Sequence, residues 1–273
     1  MLNFWLFFII FIGYFLGLVL YFLNFEIQNP LFSSWAKKVI GATLLFHLTF
    51  LARLVFESRG FVITSLSETL YFFSFLIALA SFYMESRYKT KSLMLFSLPM
   101  VILICLLAIL LVQKKSGIAQ SLSPGWLWLH ISLIFGGFAS LAISFSSAVM
   151  YLLQSSQLKA KRIGKIFLTL PSLDALDKIH FRSLIWGVIL LSLGILSGLF
   201  WATALRELQD ILRDPKVILS FLACVTYWVV LSLRLSALRR GQKIAYSTVL
   251  IFGVLFIALV TSYYCPVGIH KGF

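Results

Sequence analysis

The residues of this chain best suited to chemistry are its four histidines, His47, His130, His180 and His270. A neutral imidazole offers one ring nitrogen to a metal while the other makes a hydrogen bond. His47 lies inside LLFHLTFLARLVF, His130 inside SPGWLWLHISL beside Trp126 and Trp128, and His270 inside PVGIHKGF near the end of the chain. Each suits ligation or an interhelical hydrogen bond. Other chemistry is poorly served. The nine acidic residues avoid the centres of the apolar runs, where an ion-coupled transporter would often need one. No Walker A segment, HExxH pair or Ser/His/Asp arrangement is present, so hydrolase readings have no residues to rest on. Cys105, Cys224 and Cys265 stand far apart without CxxC spacing, which disfavours thiol redox work and structural zinc.

The elements that carry these histidines follow from composition. The chain is 61% hydrophobic and 12% charged, with a mean hydropathy of +1.00. A soluble domain has about 45–50% apolar and about 25% charged residues. Such a chain needs the bilayer as solvent, and a crossing helix needs about 20 apolar residues. Eight segments qualify, near 2–24, 37–56, 67–84, 93–113, 126–153, 181–203, 217–236 and 245–265. The expected fold is an all-α, polytopic bundle forming one membrane domain over 1–273. The first segment lacks a basic start and a small-residue cleavage site, so it is expected to be a retained span rather than a signal peptide. The net charge of +14 is expected to belong to loops at a membrane surface rather than to nucleic-acid binding. Within the loop over 154–180, Ser172 with Asp174 and Asp177 is expected to start a short interfacial helix, with His180 interfacial at the head of the next span.

Charge also orients the spans. With the first, third, fifth and seventh connections in the cytoplasm, 15 of the 23 basic residues lie inside, which places both termini outside. His130, His270 and the polar segment WATALRELQDILRDPKV then share the outer face. Two outward imidazoles could supply both axial ligands of a haem iron. They could equally hold another metal, or nothing. His47 sits near the middle of the second span, as a ligand or as an interhelical hydrogen-bonding residue. Arg53 and Glu57, four apart, can pair on one helix face. Gly136, Ser140, Ser144 and Ala148, and likewise Gly194 and Gly198, recur at intervals of four and read as close-packing faces.

From the fifth span onward the residues resemble the CcsA/CcmC/HemX group of cytochrome c assembly proteins. In LIWGVILLSLGILSGLFWATA, the residues Gly187, Ser192, Gly194, Ile195, Gly198, Trp201 and Ala202 fall where that family shows Gly, Thr, Gly, Ile, Gly, Trp and Ala. Asp214-Pro215-Lys216 resembles the Asp-Pro-Lys of the family's external tryptophan-rich segment. GIHKGF resembles its closing Gly-Leu-His-Ser-Tyr-Gly, and WLWLHISLIFGGFASLAISFSSAVMYLLQSSQLK resembles the span that begins with its first external histidine. Upstream, HLTFLARLVFESRGFVITSLSETLYFFSF is similar to HemX-type second and third spans, with Glu68 in the loop motif. The likeness covers about residues 40–273.

The resemblance implies haem handling in a bacterial cytoplasmic membrane. It makes His130 and His270 the external axial ligands of haem b, His47 a ligand within the bilayer, and Trp201 and Asp214 part of the haem surface. It implies presentation of haem to apocytochrome c, alongside a CcsB-like subunit, within a haem lyase system and without an independent enzymatic activity of this chain. HemX-type members are linked instead to control of haem synthesis through glutamyl-tRNA reductase. A small-molecule transporter is a third expectation. The departures are specific. Trp201 and Asp-Pro-Lys remain, but LRELQDILR, with Leu205, Leu208 and Leu212 as one apolar stripe, replaces the tryptophans between them. Ser232 stands where the family has a second membrane histidine. Fewer aromatic faces mean less area to stack on a porphyrin.

Overall fold

Pro30 decides where the first two helices meet. Helix α1 (Leu2–Ile27) closes with Gln28 in the left-handed region at φ 55°. The Asn29 side chain then accepts the Leu31 N–H at 3.0 Å, and Pro30 occupies the first helical position, where its missing N–H costs nothing. Helix α2 therefore runs Pro30–Glu57, a full two turns earlier than the span expected from residue 37. Lys37 and Lys38 are helical residues and not a loop. Lys38 lies with its ammonium 5.0 Å from the Trp35 ring centre, so the apolar stem can stay on the helix while the charge seeks the surface.

The computed structural model describes residues 2–57, 66–90, 92–111, 124–161, 164–205, 215–236 and 241–264. The remaining helices are α3 (Leu66–Tyr88), α4 (Leu93–Leu110), α5 (Pro124–Lys159), α6 (Lys165–Thr169), α7 (Leu173–Leu205), α8 (Pro215–Leu235) and α9 (Gln242–Tyr264). Among the described residues there is no strand. Among the described residues, seven helices are long and apolar enough to cross a membrane, and α9 is apolar over Gln242–Ile257. The all-helical, polytopic membrane architecture is thus as expected, because lipid leaves the backbone no partner outside its own helix. One local expectation fails. Ser172 does cap a helix, its Oγ accepting the Ala175 N–H at 3.3 Å, but that helix is α7 itself. The separate short helix lies earlier, at Lys165–Thr169.

The helices gather into two compact units, residues 1–118 with 156–175, and 119–155 with 176–273. In the first, α1 packs on α2 through Gly13 and Gly17. A Cβ at Gly13 would stand 2.4 Å from Thr43 Oγ1, and one at Gly17 2.2 Å from Ile40 Cδ1. Glycine four apart lets the two helices close on each other in lipid. At one end of this unit the Glu85 carboxyl joins three helices. It accepts the Tyr21 hydroxyl at 2.5 Å and the Met94 N–H at 2.9 Å. Ser92, the residue before α4, makes no side-chain cap, so Glu85 satisfies the orphan amide from a different helix. Glu85→Ala should leave that amide and the Tyr21 hydroxyl buried without partners. The expected loss is about 3 kcal/mol, read as a lower unfolding midpoint in detergent.

In the second unit α5 and α7 run antiparallel and almost touch. A Cβ at Gly198 would stand 2.5 Å from His130, one at Gly194 2.7 Å from Ile134, and one at Gly187 2.6 Å from Leu141. From the α5 side, a Cβ at Gly137 would stand 2.8 Å from the Leu191 backbone nitrogen. The facing positions therefore step 130, 134, 137, 141 on α5 and 198, 194, 191, 187 on α7. These steps of four, three and four average about 3.7, close to the 3.6 residues of a helical turn, so one stripe keeps facing its partner, whereas unbroken steps of four drift around the helix. The expected face at 136, 140, 144 and 148 is corrected accordingly. Gly137 makes the close approach, while Gly136 meets only Leu190 Cδ1 at 3.7 Å. Ser144 stays on the seam, its hydroxyl donating to the His180 carbonyl at 3.1 Å.

Candidate functional site

His130 stands in the second turn of α5, half-buried against the last turns of α7. Its Nδ1 lies 2.9 Å from the Gly194 carbonyl oxygen and 3.2 Å from Ser197 Oγ. The Ser197 hydroxyl itself donates to the Gly194 carbonyl at 2.7 Å. A carbonyl only accepts, so Nδ1 carries the proton and the lone pair of the neutral ring is on Nε2. One turn earlier, the Trp126 indole N–H donates to the Ser197 carbonyl at 3.1 Å, and its ring lies 5.6 Å from that of Phe200. These contacts tie the start of α5 to α7.

The other residues expected around His130 meet the structure unevenly. Trp201 is in the last helical turns of α7, and its side chain lies outside the described residues. Asp214 and His270 lie outside them altogether, as do Leu208 and Leu212. Pro215, next to Asp214, is the first residue of α8. Glu57 likewise has no described side chain, so its pairing with Arg53 is not among the observed contacts.

His47 belongs to the first unit and is fully buried. Its Nδ1 is 3.0 Å from the Tyr14 hydroxyl of α1. The Tyr71 and Phe75 rings of α3 meet it edge-on, with centres 5.7 Å and 5.2 Å away. Tyr71 in turn stacks on Phe7 at 3.8 Å. The Tyr71 backbone lies beside the imidazole, yet His47 Nε2 has no hydrogen-bond partner among the described residues, nor has the Tyr71 hydroxyl. The interhelical hydrogen bond expected of His47 is present. Tyr14→Phe should cost about 1–3 kcal/mol by leaving Nδ1 buried without its partner, checked by thermal unfolding in detergent.

His180 departs from its expected interfacial place. It is 3% exposed on α7, and its Nε2 lies 3.0 Å from Thr248 Oγ1 of α9. One turn before it, Asp177 pairs with Arg234 of α8, whose guanidinium also covers the Phe181 ring. The unbroken α7 carries His180 into the helical packing, because the helix starts at Leu173 and not near 181. Glu68 sits in the first turn of α3, buried, where a loop position was expected.

Sequence reasoning passed over Tyr14, Ser197 and the facing of Gly198 by His130. The periodic signal was there to be read. Counting back along α5 in alternate steps of three and four from Leu141 reaches His130, and the matching steps on α7 reach Gly198.

Comparison with known proteins adds the following. The profile of the cytochrome C assembly protein family matches residues 63–270. The cytochrome c biogenesis protein CcsA of Prochlorococcus marinus (strain MIT 9301) is 26% identical over 284 residues, covering 93% of this chain and 92% of that protein. Protein HemX of Bacillus subtilis (strain 168) is 25% identical over 249 residues, covering 89% of each. The CcsA protein of Guillardia theta is 24% identical, covering 95% of this chain and 90% of its own length.

Proposed function

The chain belongs to the cytochrome c assembly protein family, and from that footing we propose that it holds haem b at the outer face of a bacterial cytoplasmic membrane for attachment to apocytochrome c. The proposed axial ligands are His130 and His270, with Trp201 and Asp214 beside the haem and His47 as a ligand within the bilayer. The observation that carries this reading is the 2.9 Å contact of His130 Nδ1 with the Gly194 carbonyl oxygen, from which the Nδ1–H tautomer is inferred. A ligating histidine typically donates its other N–H to a carbonyl or carboxylate, which fixes the ring and raises the basicity of the coordinating nitrogen. The Nδ1–H of His130 is engaged in that way with Gly194, so the residue fits the group.

Within this reading the division of work is simple. Bound haem supplies the vinyl groups that the apocytochrome thiols attack. This chain supplies imidazole nitrogens at fixed positions and an apolar setting around them. In this reading both termini lie outside, and a CcsB-like subunit and apocytochrome c are the proposed partners beside membrane lipid. The test is haem uptake by the purified full chain. The reading expects stoichiometric binding of added haem with a shifted Soret band. Absence of uptake at any haem concentration overturns it.

A second reading follows the likeness to HemX and the replaced tryptophans: control of haem synthesis through glutamyl-tRNA reductase. Gene deletion separates the two. Loss of c-type cytochromes with total haem unchanged supports the first, and altered reductase abundance with c-type cytochromes intact supports the second. A transporter reading has only composition behind it, and solute uptake in haem-free proteoliposomes would be its mark.

A further inference from the structure

We propose that Gly198 and Ser197 of α7 are positioning residues for His130, holding its ring close against one turn of α7 with the proton on Nδ1, so that Nε2 is the atom presented for coordination. The inference rests on the assignment of His130 as a haem ligand, and it extends that assignment to a second helix.

Three observations converge on this one turn. The first is steric. A Cβ at position 198 would stand 2.5 Å from His130 Cε1, 2.9 Å from Nδ1 and 3.4 Å from Nε2. Every non-glycine residue would therefore push the imidazole off the helix. The second is the hydrogen-bond pattern. Nδ1 and the Ser197 hydroxyl both approach the Gly194 carbonyl oxygen, at 2.9 Å and 2.7 Å. A carbonyl has two lone pairs and can accept both. An unprotonated Nδ1 would set its own lone pair against that oxygen, so the pattern selects one tautomer. Ser197 Oγ, 3.2 Å from Nδ1, also flanks the ring on the side of the seat. The third is the Trp126 indole, which bonds to the Ser197 carbonyl from one turn before His130 and so anchors the part of α5 that carries it.

The same stretch of α7 serves packing elsewhere, which makes the exception at 198 informative. Gly194 and Gly187 face the aliphatic groups of Ile134 and Leu141. Those glycines let helices approach and need no chemistry. Only Gly198, of the three on α7, faces a hydrogen-bonded imidazole. The seat then acts on ligation through His130. It keeps Nε2 unprotonated by tautomer, and the Nδ1–H···O=C bond increases electron donation from Nε2.

Two readouts test this on the purified full chain in detergent. The first needs no haem. With 15N-labelled histidine, the His130 signals, identified by their loss in His130→Ala, should show Nδ1–H in the wild type. Gly198→Ala should give a mixture of tautomers. The second is ferric haem titration. Gly198→Ala should weaken binding about 10–100-fold, as changes around a ligand typically do, and raise the high-spin fraction. Added imidazole should return that variant to the wild-type spectrum, which it would not do for a protein that had merely unfolded. Ser197→Ala should shift the spectrum in the same direction by less, and Ser197→Thr, which keeps the hydroxyl, should stay near the wild type. An Nε2–H tautomer in the wild type overturns the proposal. So do Gly198→Ala and Ser197→Ala variants that match the wild type while His130→Ala does not. A His130→Ala spectrum equal to that of the wild type instead overturns the ligand assignment, and the tautomer experiment still decides whether the seat exists.

Discussion

Gly137→Leu is expected to leave little folded protein. The added Cβ alone would stand 2.8 Å from the Leu191 nitrogen and 3.2 Å from the Gly187 carbonyl, both backbone atoms that cannot rotate away. Separating α5 from α7 would break the whole run of contacts from Gly198 to Gly187, together with the bonds of His130 and Ser144. Overpacking commonly costs about 1–3 kcal/mol, and a clash with backbone belongs at or above the top of that range. The neighbouring Gly136→Ala is the control. Its nearest neighbour is Leu190 Cδ1 at 3.7 Å, an ordinary contact, and alanine gains up to about 1 kcal/mol of helix propensity over glycine. Fluorescence-detected gel filtration of the two variants should show a collapsed monodisperse peak for the first and an unchanged one for the second.

His130→Ala is expected to have the largest effect on function with little effect on folding. His130 is only half-buried, and its contribution to the α5–α7 seam lies at one end of it, so most of the packing survives. Removing a proposed axial ligand should weaken haem binding by about 100-fold, at or beyond the upper end of what outer-shell changes cost. In cells the same variant should lose c-type cytochromes while the protein accumulates normally in the membrane, measured by haem staining and immunoblot. Normal cytochrome levels with normal haem affinity would contradict the assignment.

Much of the architecture could be read in advance because the bilayer imposes it. Runs of about 20 apolar residues can only be helices, and every run expected to cross overlaps one of the described helices. Boundaries were harder. The second span was expected to start at Lys37 and Lys38, but lysine can keep its stem on a helix and its charge at the surface, and the asparagine–proline pair before them was the stronger signal. Ser172 was recognised as a cap, yet nothing local says whether the helix it starts is short or thirty residues long. That length decided the fate of His180, which moved from an interface to a buried bond with Thr248.

The site was legible as residue types and not as contacts. His130 and His47 were singled out by being histidines in apolar surroundings, which is a local property. That Tyr14 would meet His47, or that Gly198 would lie under His130, depends on the register between helices far apart in sequence. The interval-of-four reading found the glycines of α7 and missed Gly137 on α5, because two helices held together over several turns keep contact by alternating steps of three and four. The replaced tryptophans between Trp201 and Asp214 remain the clearest sequence departure from the family pattern, and under the proposed function they would leave ligation, rather than stacking, as the main support for haem.

The central claim is that His130 and His270 together hold the iron. Electron paramagnetic resonance of the ferric haem complex of the purified full chain tests it most directly, with His130→Ala and His270→Ala alongside. The wild type should give a low-spin bis-imidazole signal, and each single variant should convert to high spin and recover the low-spin signal on addition of imidazole. A low-spin signal that persists unchanged in both variants would contradict the claim and turn attention to His47.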